Sequence, residues 1–148
     1  MKTIFIYYSY SGNGDVVADF LKGKDIDIRK VESNYKLSNI LFFQMMKGGF
    51  DALRKKKPKL INYDNNIEEY DHIIIGTPIW NSRLAPVCNS ILDKTDLSNK
   101  KITFILYSGS GEAKNAYKRL KASYQNSNII ILKQPKKYKD ELEKLKEL

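Results

Sequence analysis

Between a strand-forming opening stretch and a helix-forming continuation, the chain reads Ser9-Tyr10-Ser11-Gly12-Asn13-Gly14, a run of hydroxyls, one amide and two glycines. At a strand-to-helix junction the first backbone N–H groups of the helix have no partner inside it, and the peptide dipoles favour negative charge there. The glycines let the backbone approach a ligand closely, while Ser9, Ser11 and Asn13 add side-chain donors. These are the parts of a phosphate site. No Lys or Arg lies between Thr3 and Leu21, so an anion held here is expected to meet neutral donors only, which points to a terminal monophosphate rather than a triphosphate. The ATPase loop G-x-x-x-x-G-K-[ST] needs a Lys to offset charge on the distal phosphates, and this run has none. Gly12-Asn13-Gly14 also begins the dinucleotide pattern G-x-G-x-x-G, with Glu32 at a plausible distance for a ribose contact. Val17, however, replaces the third Gly that close helix–strand packing requires. The same residues suit an ordinary turn, because Ser, Asn and Gly are favoured at turns and helix caps whatever the function.

Two further stretches bear on the choice. Gly76-Thr77-Pro78-Ile79-Trp80-Asn81-Ser82 carries the only Trp of the chain, and Ser108-Gly109-Ser110-Gly111 offers mobile backbone donors. A Trp on a loop can simply pack on apolar neighbours. Beside a phosphate loop it can instead stack on a planar heterocycle, whose polar edge the Gly/Ser backbone approaches. The three stretches together imply a flat, phosphorylated ligand. Flavin mononucleotide (FMN) fits, with one phosphate, a ribityl chain and a tricyclic ring with a polar edge.

What must position these stretches is legible as alternation. Apolar runs at 3–8, 26–31, 72–75, 102–107 and 128–132 read as strands, separated by segments that can be helical. That pattern predicts a parallel sheet covered on both faces, an α/β doubly wound fold of five strands. Ile73-Ile74-Ile75 and Phe104-Ile105-Leu106 are continuous apolar runs, as expected of central strands buried on both sides. Ile26 and Ile28 alternate with Asp25, Asp27 and Arg29, as on an edge strand. Val16, Val17, Phe20 and Leu21 give the first helix one apolar face. The other helices are expected at 38–55, 85–93, 112–124 and 135–148, with Pro86 suited to a first turn, and 56–69 reads as a basic connecting loop. In such sheets ligands collect beyond the carboxyl ends of the strands where the strand order reverses, so the loops after strands one, three and four should be neighbours.

Composition sets the outer limits. A chain of 148 residues with 42% hydrophobic content suits one domain spanning 1–148, with a core that needs no disulfide or metal. The single Cys, Cys88, excludes an internal disulfide and any multi-Cys metal site, and reads as a small buried apolar group. The only His, His72, belongs at the start of strand three, far from the loops, as a structural residue or an exposed neighbour of Asp71. The opening residues show no signal-peptide pattern and no apolar run reaches membrane-spanning length, so a cytoplasmic location is expected. The net charge is +9, with basic clusters at Arg54-Lys55-Lys56-Lys57 and Lys59, from Lys114 to Lys121 and from Lys133 to Lys139. Such clusters are commonly solvated faces. No nucleic-acid module accompanies them, and no nucleic-acid partner is expected.

The ordered set of three loops resembles the flavodoxin family over essentially the whole chain. Flavodoxins hold the FMN phosphate with a loop of the form [ST]-x-[ST]-G-x-[TG], matched by Ser9, Ser11, Gly12 and Gly14. Ile75-Gly76-Thr77-Pro78-Ile79-Trp80, followed by Ala85-Pro86, resembles the second flavin loop, in which an aromatic flanks the ring. The resemblance implies the strand order 2-1-3-4-5 and FMN contacts at Ser9, Tyr10, Ser11, Gly12, Asn13, Gly14, Thr77, Pro78, Ile79, Trp80, Asn81, Ser108, Gly109, Ser110 and Gly111. The chain departs from the family at three points. Gly14 stands where many members have Thr, Ser108–Gly111 lacks the second aromatic of many electron carriers, and the charge is opposite to the usual acidic one. With FMN carrying the redox chemistry, no catalytic side chain is required. The expected function is a flavodoxin-type electron carrier serving redox partner proteins with acidic docking faces. The alternatives are an FMN-dependent NAD(P)H or quinone oxidoreductase, favoured by an open ring face, and a binding module without FMN.

Overall fold

The computed structural model describes residues 1–35 and 56–148. Five parallel strands form the main sheet: β1 (Thr3–Tyr7), β2 (Asp27–Lys30), β5 (His72–Trp80), β7 (Lys101–Ser108) and β8 (Asn128–Lys133). Their spatial order is β2-β1-β5-β7-β8, which is 2-1-3-4-5 when the five are counted along the chain. The order reverses at β1 and β5, which run side by side with Tyr7 opposite Gly76. The segment after β1 and the last residues of β5 therefore leave the sheet from one edge. Helix α1 (Asn13–Lys22) follows β1, α2 (Pro86–Lys94) follows the β5 hairpin, and α3 (Lys114–Ser123) follows β7.

Period-two alternation along the strands sorts the apolar side chains to two faces. Ile4, Ile6, Ile73, Ile75, Phe104 and Leu106 pack with Val87, Cys88 and Ile91 of α2 and with Ala116 and Leu120 of α3. Phe5, Tyr7, Ile74, Ile105 and Tyr107 pack with Val17, Ala18 and Leu21 of α1. The continuous Ile73-Ile74-Ile75 run is buried throughout because each successive residue feeds a different core.

Three expectations need correction. Residues 76–80 do not form a loop: β5 continues to Trp80, and Trp80 pairs with Arg83 of β6 (Arg83–Leu84) in an antiparallel hairpin. Its two-residue turn, Asn81 and Ser82, has φ of 51° and 61°. Positive φ at both central residues is the geometry that matches strand twist in a tight hairpin, and Asn tolerates it well. Second, the stretch read as a basic connector contains β4 (Leu60–Ile61), paired antiparallel with β3 (Glu32–Ser33). Third, the helix expected at 135–148 is a 3₁₀ helix over Lys139–Leu145. Leu142, Leu145 and Leu148, three residues apart, all reach the α1-side core, and three residues per turn aligns that spacing where 3.6 would not. The helix expected at 38–55, and with it Arg54 and Lys55 of the first basic cluster, lies outside the described residues.

His72 is buried at the start of β5, its Nε2 2.8 Å from Thr103 Oγ1, at the end of the sheet away from the loops. Burial, with Lys101 nearby, pushes its pKa down to about 4, so it is a neutral structural residue. Cys88 is fully buried and its thiol is pushed up to about 12, which leaves it unreactive at neutral pH.

Candidate functional site

The loop after β1 turns sharply at Gly12, whose φ of 96° is in the left-handed region that glycine adopts without strain. Helix α1 then begins at Asn13, directly after the loop, with Gly12 as its cap. Ser9 Oγ accepts a hydrogen bond from the Gly14 N–H at 3.1 Å, and the Val16 N–H donates to the Gly12 carbonyl. The N–H groups of Ser11, Gly12 and Asn13 have no acceptor among the described residues. Ser9 is engaged on both sides, its Oγ accepting from Gly14 and its hydroxyl helping to hold the Asp15 carboxylate. Three N–H groups without an acceptor among the described residues, at a helix N-terminus, have the geometry that can cradle an anion.

Asn13 is already engaged: its Nδ2 donates to Ser11 Oγ at 3.3 Å, and its Oδ1 accepts the Lys136 N–H at 3.0 Å. Asp15 faces Tyr7 and Lys30, with the Tyr7 hydroxyl donating to it at 2.8 Å and Lys30 Nζ at 2.9 Å. Burial opposes its charge, but hydrogen bonds from Lys30 and Tyr7 more than offset this and hold its carboxyl below the ordinary value. Asp15 is thus already paired, with Lys30 as its cation.

Gly14 does not stand for a missing side chain. A Cβ there would lie 2.6 Å from Tyr107 Oη, 2.8 Å from Tyr7 Cδ2 and 2.9 Å from Ser9 Cβ. The space that a Thr would take is filled by Tyr107, a buried phenol that donates to the Tyr8 carbonyl. Burial raises the Tyr107 pKa well above its ordinary value, so it remains a donor at any neutral pH.

Trp80 stands at the tip of β5, half-buried. Tyr10 meets it edge-on with ring centroids 5.9 Å apart, and Tyr8 does so at 6.5 Å. Tyr35 stacks on it at 6.0 Å and 30°. An aromatic cluster, rather than one isolated Trp, therefore lies next to the anion cradle. Of the other residues expected at this position, Ile79 and Asn81 reach the open edge, whereas Thr77 and Pro78 are buried inside β5.

The Ser108–Gly111 loop is more ordered than its composition implies. Ser108, itself buried, donates to the Glu112 carbonyl at 2.7 Å, and Ser110 Oγ accepts the Glu112 N–H at 3.2 Å. Gly109 is exposed, with open space where a Cβ would stand. Between this loop and the hairpin lies a cavity of about 300 Å³ lined by Ile79, Asn81, Ser82, Ser108, Gly109, Ser110, Glu112 and Lys114. Ser82 fastens the hairpin to α3, its carbonyl accepting the Ala116 N–H at 2.9 Å and its hydroxyl the Asn115 N–H at 3.1 Å. Two otherwise unpaired donors at the start of α3 are satisfied in this way.

The expectation of wholly neutral surroundings for the first loop is overturned by the segment after β8. Gln134, with φ of 39°, turns the chain back so that its Nε2 donates to the Gly109 carbonyl at 2.9 Å. Two residues later Lys136 lies over the first loop, Nζ 3.3 Å from the Ser11 carbonyl oxygen. The contact joins residues 125 apart in sequence, and no local pattern announces it. The sequence signal was only the composition of the basic run from Lys133 to Lys139.

Among the described residues, no helix is long and apolar enough to cross a membrane, and no group of His, Cys, Asp and Glu could hold a metal ion. No curated protein matches the chain by sequence. Among solved structures, it is similar to a candidate flavoprotein of Bacteroides eggerthii at 21% identity and TM-score 0.70, with 86% of this chain and 84% of that one covered. It is also similar to a flavoprotein of Lactobacillus acidophilus solved in complex with FMN, at 22% identity and TM-score 0.66, covering 94% of this chain and 97% of that one. These likenesses concern the fold. The family model described as Flavodoxin matches residues 2–146, and with the 2-1-3-4-5 parallel sheet already described, the chain belongs to the flavodoxin family.

Proposed function

We propose that this chain binds FMN at the carboxyl edge of β1, β5 and β7 and works as a flavodoxin-type electron carrier. The observation that carries the reading is the convergence of three features on one edge. They are the unpaired N–H groups of Ser11, Gly12 and Asn13 at the start of α1, the aromatic cluster around Trp80, and the cavity against Ser108–Gly111. A monophosphate suits the first, a planar ring the second, and the polar edge of that ring the backbone of the third. The similar flavoprotein of Lactobacillus acidophilus was solved with FMN, which supports the choice of flavin.

In this reading FMN supplies the redox chemistry, and the protein binds, orients and shields it. The N–H groups of Ser11, Gly12 and Asn13 hold the phosphate, and Ser9 fixes the turn through Gly14. Trp80 and Tyr10 flank the ring, and the exposed Gly109 lets backbone groups approach its polar edge. Thr77 and Pro78 act indirectly, as buried strand residues that set the position of Trp80.

A second reading, an FMN-dependent NAD(P)H or quinone oxidoreductase, draws on one observation. Among the described residues, the lining on the Ser108–Gly111 side of the cavity holds no aromatic side chain to cover the ring. Titration of the protein with FMN and with riboflavin, followed by calorimetry and Trp fluorescence, tests the binding. We expect about one FMN per chain, weaker riboflavin binding and quenching at Trp80; no heat and no quenching would refute the reading. Mixing the FMN-loaded protein with NADH or NADPH alone separates the two functions. A carrier keeps its flavin absorbance without an upstream reductase, whereas bleaching within seconds would establish the oxidoreductase.

A further inference from the structure

We propose that Lys136 is a specificity-determining residue of the anion cradle, supplying a positive charge that pairs with the ligand's phosphate and so selects the phosphorylated flavin over riboflavin. This inference rests on the FMN reading above, and its test keeps the two apart.

The backbone of Lys136 is fixed independently of its side chain. Its N–H donates to Asn13 Oδ1 at 3.0 Å, and the turn that carries it is fastened by the Gln134 N–H to the Ser108 carbonyl at 3.1 Å and by Gln134 Nε2 to Gly109. Lys136 thus starts from an anchored position at the rim of the cradle. Its side chain runs across Gly12: a Cβ on that glycine would lie 3.2 Å from both Cδ and Nζ. Glycine at position 12 serves two purposes, adopting the left-handed turn and leaving room for the lysine.

The ammonium is poorly satisfied where it lies. Among the described residues its hydrogen-bond partner is the Ser11 carbonyl at 3.3 Å, long for a charged donor, and no carboxylate lies within 4.0 Å of it. Asp15, in the first turn of α1, is paired with Lys30. Lys carries three donors, and two can turn to phosphate oxygens while the third keeps its carbonyl. A charge-assisted hydrogen bond to a phosphate is shorter and stronger than the one to a neutral carbonyl, so the exchange favours a dianionic monophosphate. The neighbouring basic residues do not share this position. Lys133 Nζ and Lys137 Nζ both lie over the Tyr138 ring, at 5.4 and 5.3 Å from its centroid.

The experiment compares the wild-type chain with Lys136→Met and Lys137→Met, which have the same net charge. FMN and riboflavin affinities are measured by calorimetry at low and high salt, with a thermal melt of each variant to confirm folding. We expect Lys136→Met to weaken FMN about tenfold, to leave riboflavin unchanged and to flatten the dependence of FMN affinity on salt. Lys137→Met should behave as wild type. Equal FMN affinity in wild type and Lys136→Met, or equal losses in both variants, would overturn the assignment by showing no contact or only a general effect of charge. Failure of the wild type to bind FMN would refute the FMN reading, and the assignment with it. Should Lys136→Met melt early, Lys136→Gln, which keeps a polar end beside Ser11, gives the same comparison.

Discussion

Replacing Gly14 with Thr, the residue common at this position in flavodoxins, should damage this protein rather than improve it. The first added atom would stand 2.6, 2.8 and 2.9 Å from Tyr107 Oη, Tyr7 Cδ2 and Ser9 Cβ, all closer than real Cβ contacts, and Tyr107 and Tyr7 are buried. Overpacking of this kind costs about 1–3 kcal/mol, and displacing Tyr107 from the Tyr8 carbonyl adds about 1 kcal/mol for the lost hydrogen bond. The sum, about 2–4 kcal/mol, corresponds to a fall in melting temperature on the order of 10 °C for a chain of this size. Urea and thermal denaturation of Gly14→Thr and Gly14→Ala would read it. A Gly14→Ala, Tyr107→Phe pair makes the argument sharper. Tyr107→Phe alone should cost about 1 kcal/mol, since the Tyr8 carbonyl loses its donor. In the double variant the nearest clash is gone, so the two costs should sum to more than the measured loss, while the contacts with Tyr7 and Ser9 keep the rescue partial. Gly14→Thr with wild-type stability and tighter FMN binding would refute the reasoning, because it would show that the position is an empty donor site.

Trp80→Ala is expected to weaken FMN by about 1 kcal/mol or more through the lost aromatic contact, with a smaller effect on unfolding, since Trp80 is only half-buried. Wild-type affinity with a sharply lowered melting temperature would make it a packing residue alone. His72 should make stability depend on pH. Its folded pKa of about 4 lies below its ordinary value of 6.5, so between these values the unfolded chain binds the extra proton. Its contribution is complete above about pH 6.5 and is lost as pH falls toward 4, with a slope of at most ~1.4 kcal/mol per pH unit. In His72→Gln that slope should disappear from urea midpoints measured between pH 4 and 7, and an unchanged slope would assign it to other groups.

Much of this architecture is determined locally. Alternating apolar runs place five strands, continuous isoleucines mark the strand buried on both faces, and Ser9-Tyr10-Ser11-Gly12-Asn13-Gly14 marks a strand-to-helix turn whose free N–H groups follow from helix geometry alone. Other features were decided by packing at a distance. Gly76-Thr77-Pro78-Ile79-Trp80 reads as turn chemistry, yet pairing with β7 holds it in the sheet up to a hairpin at Asn81 and Ser82. The last helix is 3₁₀ because three leucines must reach one face of a sheet that the local sequence does not reveal. Gly14 is explained by Tyr107, and the charge over the first loop comes from Lys136; both partners are remote in sequence. Helix and strand periods arise from bonds between near neighbours and leave a trace in the order of residues. A side chain's occupancy of another segment's space, or a cation's arrival over another segment's backbone, depends on how the sheet closes, and only the tertiary structure contains that.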